Sequence, residues 1–88
     1  MSEEFEIAGT PTAKRALQRL PEKVAVAAIE FIYGSLAANP RRLGKPLRLE
    51  LEGLHSARRG DYRIVYRIDP GSVTIVAIDH RGDIYRPS

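Results

Sequence analysis

A guanidinium group offers a flat fork of N–H donors that matches the oxygens of a phosphate or carboxylate. In this 88-residue chain such groups crowd around one stretch, Arg58-Arg59-Gly60-Asp61-Tyr62-Arg63-Ile64-Val65-Tyr66-Arg67-Ile68. Gly60-Asp61 supplies turn chemistry, and Tyr62 to Ile68 is rich in the aromatic and β-branched residues of strands. Alternation along a strand puts Tyr62, Ile64, Tyr66 and Ile68 on one face and Arg63, Val65 and Arg67 on the other. The first face has the makings of a core. The second is cationic and suits an anionic ligand, although charges on an open sheet face are ordinarily just solvated.

The charge pattern adds to this. Net charge is +3. Residues 1–40 hold four Lys/Arg against five Asp/Glu, whereas residues 41–88 hold ten against six. The basic half is the half that reads as sheet. That fits a nucleic-acid binder, and equally an acidic protein partner. His55 and His80 are the two side chains whose ordinary pKa lies near neutrality. With no cysteine, a disulfide framework, a thiolate metal site and a Cys nucleophile are excluded. No apolar run reaches the roughly 20 residues of a membrane span. The acidic start Met1-Ser2-Glu3-Glu4 is unlike a signal peptide, so a cytoplasmic setting is expected.

Positioning these residues requires a scaffold, and the length allows one domain over 1–88 with one modest core. Phe5 to Ala8 alternates as a short strand. Thr10 and Pro11 start a helix as N-cap and first residue, with Thr12 as the other candidate cap. Ala13, Ala16, Leu17 and Leu20 form its buried face. Pro21 ends it and opens a second helix to about Ala38, stopped by Asn39-Pro40. So short a link predicts an antiparallel helical hairpin. Arg41 to Leu49 reads as a connecting loop with four cations. Leu54 to Arg58 and Val73 to Ile78 read as strands, the latter apolar enough for a central strand buried on both faces. The order β-α-α-β-β-β predicts an α+β fold, a helical hairpin on one face of a small antiparallel sheet. Leu17, Leu20, Ile29, Phe31, Ile64, Tyr66, Val76 and Ile78 are the expected core.

That order, the loop Gly44-Lys45-Pro46-Leu47, the strand Gly60 to Ile68 and the tail Asp79-His80-Arg81-Gly82-Asp83-Ile84-Tyr85-Arg86 together resemble the RelE/ParE toxin superfamily. The resemblance spans nearly the whole chain and is stronger to the RelE branch, whose members are ribosome-dependent messenger RNA endonucleases silenced by a cognate antitoxin. It implies metal-free cleavage without a cofactor, the RNA 2′-OH attacking the adjacent phosphate in the ribosomal A site. Arg63 then matches the phosphate-stabilising arginine, and Tyr85 the C-terminal aromatic that places the RNA. Arg81 matches the arginine linked with leaving-group protonation, and Arg58 a basic position on the preceding strand. Arg41, Arg42, Lys45, Arg48 and Arg59 would bind RNA backbone. Some members carry lysines on the second strand as base; here it reads Leu54-His55-Ser56-Ala57-Arg58. The base is left open, with His80 and His55 as candidates. The same fold also serves ParE-like toxins that poison DNA gyrase, and an inactive antitoxin-binding homologue is a third possibility.

Overall fold

Thr10 decides where the first strand stops and the first helix begins. Its hydroxyl accepts from the Ala13 amide and donates to the Val76 carbonyl, each at 3.1 Å. One side chain thus caps a helix and ties it to the far end of the chain. The computed structural model describes residues 4–48 and 52–80. Within them β1 is Glu6–Gly9, α1 Pro11–Arg19, α2 Glu22–Phe31, α3 Pro40–Leu43, β2 Lys45–Pro46, β3 Leu54–Arg59, β4 Tyr62–Asp69 and β5 Ser72–His80. The fold is α+β, and the sheet order is β1-β5-β4-β3-β2.

The sheet is mixed. β2 to β5 pair antiparallel, but β1 runs parallel to β5, with Ile7 opposite Val73. The helices and strands β2 to β4 lie between them in sequence and give the long connection that a parallel pair needs. Two short elements, α3 and β2, also occupy what the sequence predicts as loop. Pro40 can begin a helical turn because its missing N–H is not needed there.

The helices pack their apolar stripes on one face of the sheet. Ala13, Leu20, Ala28, Phe31, Ile32 and Leu36 join Ala57, Tyr62, Ile64, Tyr66, Val73, Ile75 and Ile78 in one core, with Leu17 and Val24 half-buried against it. Two expected core residues fall elsewhere. Ile29 is 39% exposed on the outer side of α2. Beyond it the helix widens into a π turn over Ile32–Leu36, which shifts the buried stripe so that Leu36 and Ala37 face inward and Ser35 faces out. Val76 is half-buried because it is the extra residue of a β-bulge: Val65 pairs with Ala77, and Tyr66 with Ile75. The bulge switches parity, so Ile78 joins Val73 and Ile75 on the core face. β5 is therefore an interior strand with one open face, not one buried on both. Among the described residues no helix is long and apolar enough to cross a membrane.

Candidate nucleic-acid interface

The turn at Gly60 sets the site. Its φ of +59° lies in the left-handed region that favours glycine, and it lets β3 fold back on β4 with Arg58 directly opposite Arg63. Arg63 in turn sits opposite Asp79 on β5. These three form a row across the face of the sheet turned away from the helices, because their strand neighbours Ala57, Ile64 and Ile78 are in the core. Directly opposed residues in a sheet lie about 5 Å apart at Cα, so two guanidinium groups here repel one another in the absence of an anion.

Asp79 offsets this only weakly. Its Oδ2 is 3.9 Å from Arg63 Nη2, and both side chains are about half exposed, a contact worth little in water. Much of the Arg63 guanidinium is thus left open to solvent. Arg67, four residues along the same face, is held more firmly by Asp69, with Nε donating to Oδ2 at 3.1 Å.

Lys45 lies on this face as well. It pairs with Ser56, two residues along β3 from Arg58, so by strand spacing its Cα is about 8 Å from that of Arg58. Just before it, α3 exposes Arg41 and Arg42, and Arg48 is exposed just after β2. Arg58, Arg63 and Lys45 are therefore brought together, with Arg41, Arg42 and Arg48 extending the cationic surface along the β2 edge.

Arg59 and His80 share the opposite face. They flank Tyr62 in the next row, on the helix side. Arg59 stacks its guanidinium over the Phe31 ring at 5.3 Å. His80 lines a cleft with Thr12, Ala16, Arg19 and Leu20 of α1 and its end. His80 is thus one row from Arg63 but across the sheet. His55 is farther: its ring stacks on Tyr66 on the helix side, with centroids 5.6 Å apart. Arg81 and Tyr85 lie outside the described residues.

The two strand tyrosines are core residues. Tyr62 donates its hydroxyl to the Ala27 carbonyl at 3.3 Å, and Tyr66 to that of Pro40 at 2.5 Å. Burial raises both phenols above their usual pKa near 10; the Arg59 charge draws Tyr62 part of the way back, and a hydrogen bond from the Gly44 amide does so for Tyr66. Both stay neutral at physiological pH.

Sequence reasoning missed two features. Asp79 is the arginine partner, a role its place after an apolar run disguised, since the bulge hides which face it takes. The other is an exposed apolar stripe on the helical side, Val26, Ile29 and Tyr33 at 49%, 39% and 61% exposure. Ile29 and Tyr33 border a small apolar cavity of about 100 Å³ shared with Ile7, Leu17, Ile32 and Ile75. The spacing of three and four residues that exposes this stripe is legible in the sequence.

The chain is similar to known proteins along nearly its whole length. A family model described as the ParE toxin of type II toxin-antitoxin system, parDE, matches residues 7–85. The chain is 61% identical over 84 residues to Toxin RelE of Mycobacterium tuberculosis, covering 93% of this chain and 87% of that protein. It is 50% identical over 84 residues to Toxin RelG of the same organism, covering 93% and 97%. Among solved structures it is similar to the toxin-antitoxin complex RelBE2 from M. tuberculosis, with a TM-score of 0.89 and 46% identity over 94% of this chain and 98% of the matched one.

Proposed function

Because the chain belongs to the RelE/ParE superfamily of toxins from type II toxin–antitoxin systems, we propose that it is an endoribonuclease that cuts messenger RNA in the ribosomal A site. Its place of action is then the cytoplasm, and an antitoxin silences it. The observation that carries this reading is the row Arg58–Arg63 on an open sheet face, with Asp79 only loosely engaged. A phosphate laid between the two guanidinium groups turns their repulsion into attraction on both sides.

The chemistry follows from that position. The 2′-oxygen forms a bond to phosphorus as the bond to the 5′-oxygen breaks. The 2′-OH proton leaves to a base, and the 5′-oxygen takes up a proton. Products are a 2′,3′-cyclic phosphate and a 5′-OH end. Negative charge gathers on the non-bridging oxygens in the transition state, and Arg63 with Arg58 meets it there. Arg81 fills the proton-donor role and Tyr85 the RNA-placing role in this reading. Of the two histidines, His80 is the nearer to Arg63 but lies on the other face of the sheet, and His55 is two rows farther off and stacked on Tyr66, so the base is left open. Arg41, Arg42, Lys45 and Arg48 hold backbone phosphates, where sequence matters little. Arg59 is engaged with Phe31 on the other face and serves at most the rim of this surface.

The partner is supported by the RelBE2 complex, described as a toxin-antitoxin complex, and by the apolar stripe Val26, Ile29 and Tyr33, which a partner helix would cover.

The test is single-turnover cleavage of ribosome-bound messenger by purified protein. Arg63→Ala should lower the rate at saturating toxin by about 100- to 1000-fold while fold and antitoxin binding persist, because the side chain fills no part of the core. A folded variant that cuts at the wild-type rate overturns the assignment. A second reading is favoured by the ParE description of the matching family model: contact with DNA gyrase and no RNA chemistry. Wild-type protein that leaves messenger intact and traps gyrase on DNA would select it.

A further inference from the structure

Tyr66 does something odd for a core residue. It is fully buried, yet its hydroxyl reaches the backbone of α3, a segment whose other side chains are mostly exposed. There it donates to the Pro40 carbonyl and lies against the backbone of Gly44. Pro40 and Gly44 are four residues apart, the spacing at which a helix bonds its own amide to its own carbonyl. The phenol takes the Pro40 carbonyl that such a backbone bond would use. The preceding bond, Leu43 N–H to the Asn39 carbonyl, is made normally at 3.2 Å.

The consequences converge on the cationic edge. The hydroxyl holds the first residue of α3 and packs against the glycine that follows its last. Between those ends lie Arg41 and Arg42; directly after lies Lys45, entering β2 opposite Ser56. Tyr66 belongs to β4, the strand that carries Arg63 three residues earlier. A rigid strand thus links the arginine row to the edge that carries the other cations. His55, one strand over, stacks on the same ring and holds it from the side.

We propose that Tyr66 is a positioning residue for RNA, its hydroxyl holding the Arg41–Arg42–Lys45 edge in register with Arg58 and Arg63, an inference that rests on the nuclease reading above. Without the hydroxyl, the edge samples other arrangements, and only the fraction in register binds. Apparent affinity falls by that fraction. The cations themselves remain, so the number of phosphates contacted in the bound state does not change.

This separates a positioning role from a contact and from plain stability. Tyr66→Phe keeps the ring and its stack on His55. It should weaken ribosome binding by about tenfold, as expected if roughly a tenth of molecules stay in register. The slope of log affinity against log salt should stay at the wild-type value, and the single-turnover rate at saturating toxin should be retained. Lys45→Ala, which removes a contact, should instead make that slope shallower by about 0.7 to 0.9. Ile64→Val, a core change with a similar loss of thermal stability, should leave affinity untouched. Amide exchange at Gly44 should rise in Tyr66→Phe and not in Ile64→Val. Unchanged affinity in Tyr66→Phe, an equal loss in Ile64→Val, or unchanged exchange at Gly44 overturns the inference. Wild-type protein that binds no ribosome sinks the nuclease reading instead, and the exchange data alone then decide whether the hydroxyl holds the turn.

Discussion

Gly44→Ala is a one-methyl change whose cost can be worked from the structure. Backbone angles at Gly44 are φ −111° and ψ 175°, which alanine adopts freely, so no backbone strain enters. The cost is steric. A Cβ built at this position would stand 2.1 Å from the Tyr66 hydroxyl oxygen, 2.9 Å from its Cζ and 3.0 Å from the Ser56 carbonyl oxygen. Tyr66 has nowhere to retreat, being fully buried and stacked on His55. Accommodation therefore breaks the hydroxyl's bond to Pro40 and pushes the ring into its neighbours. Overpacking of this kind costs about 1–3 kcal/mol, and a buried polar group left unpaired about 1–3 more. Allowing for partial relaxation, a loss of about 2–4 kcal/mol is expected, a large part of a small domain's stability. Urea unfolding of wild type, Gly44→Ala, Tyr66→Phe and the double variant measures it. In the Tyr66→Phe background the worst contact is gone, so Gly44→Ala should cost at least about 1 kcal/mol less, a coupling of the size seen for touching residues. A Gly44→Ala cost below about 0.5 kcal/mol, or the same cost in both backgrounds, would refute the close approach and the rigidity ascribed to Tyr66.

Other outcomes are expected. Ile29→Asp places a charge on the exposed stripe of α2; stability should change by less than about 1 kcal/mol, while affinity for a co-purified antitoxin should fall at least tenfold by calorimetry, since apolar anchors dominate such interfaces. Phe31→Ala and Ile64→Ala should each cost about 2–5 kcal/mol in the same urea assay. Both buried tyrosines have pKa values raised above 10, so their contribution to stability is complete below pH 10 and is lost as pH climbs through the raised folded values. Thermal scans should show a melting temperature that declines above pH 10, and less steeply in Tyr66→Phe.

Much of this was readable before any coordinates. Alternation from Tyr62 to Ile68 put Ile64 and Tyr66 inside and Arg63 outside, because a strand has only two faces and the chain offers one set of apolar residues. Thr10-Pro11 marked the start of α1 for an equally local reason. The failures came where a non-local or irregular feature overrode spacing. Val76 read as core because a bulge leaves no mark in a run as nearly continuous in apolar residues as Val73 to Ile78. Ile29 lies on the flank of the helical stripe, and a π turn farther along altered which flank is covered. The parallel pairing of β1 was hidden too, since Phe5 to Ala8 alternates in the same way whichever direction its neighbour runs. At the site, the union of Arg58, Arg63 and Lys45 was half visible. Parity put the first two near the same turn, but Lys45 joins them only through a two-residue strand too short to carry a pattern.

The parallel pairing of β1 with β5 also bears on how the domain comes into being. Thr10 and Val76, which close that junction, are 66 residues apart in sequence. The first strand to be synthesised has no permanent neighbour until nearly every other element exists. Helices and the β3–β4 hairpin can form from local contacts, but the last step of assembly closes a long loop, and such contacts set the pace of folding. β5 itself follows β4 through a tight turn and pairs with it locally, so the row Arg58, Arg63 and Asp79 can form before the N-terminal strand is docked. A newly made chain therefore passes through an interval in which its hairpins are formed and β1 is not yet docked on β5. In that interval the unfilled side of β5 is open to pairing with any other extended segment.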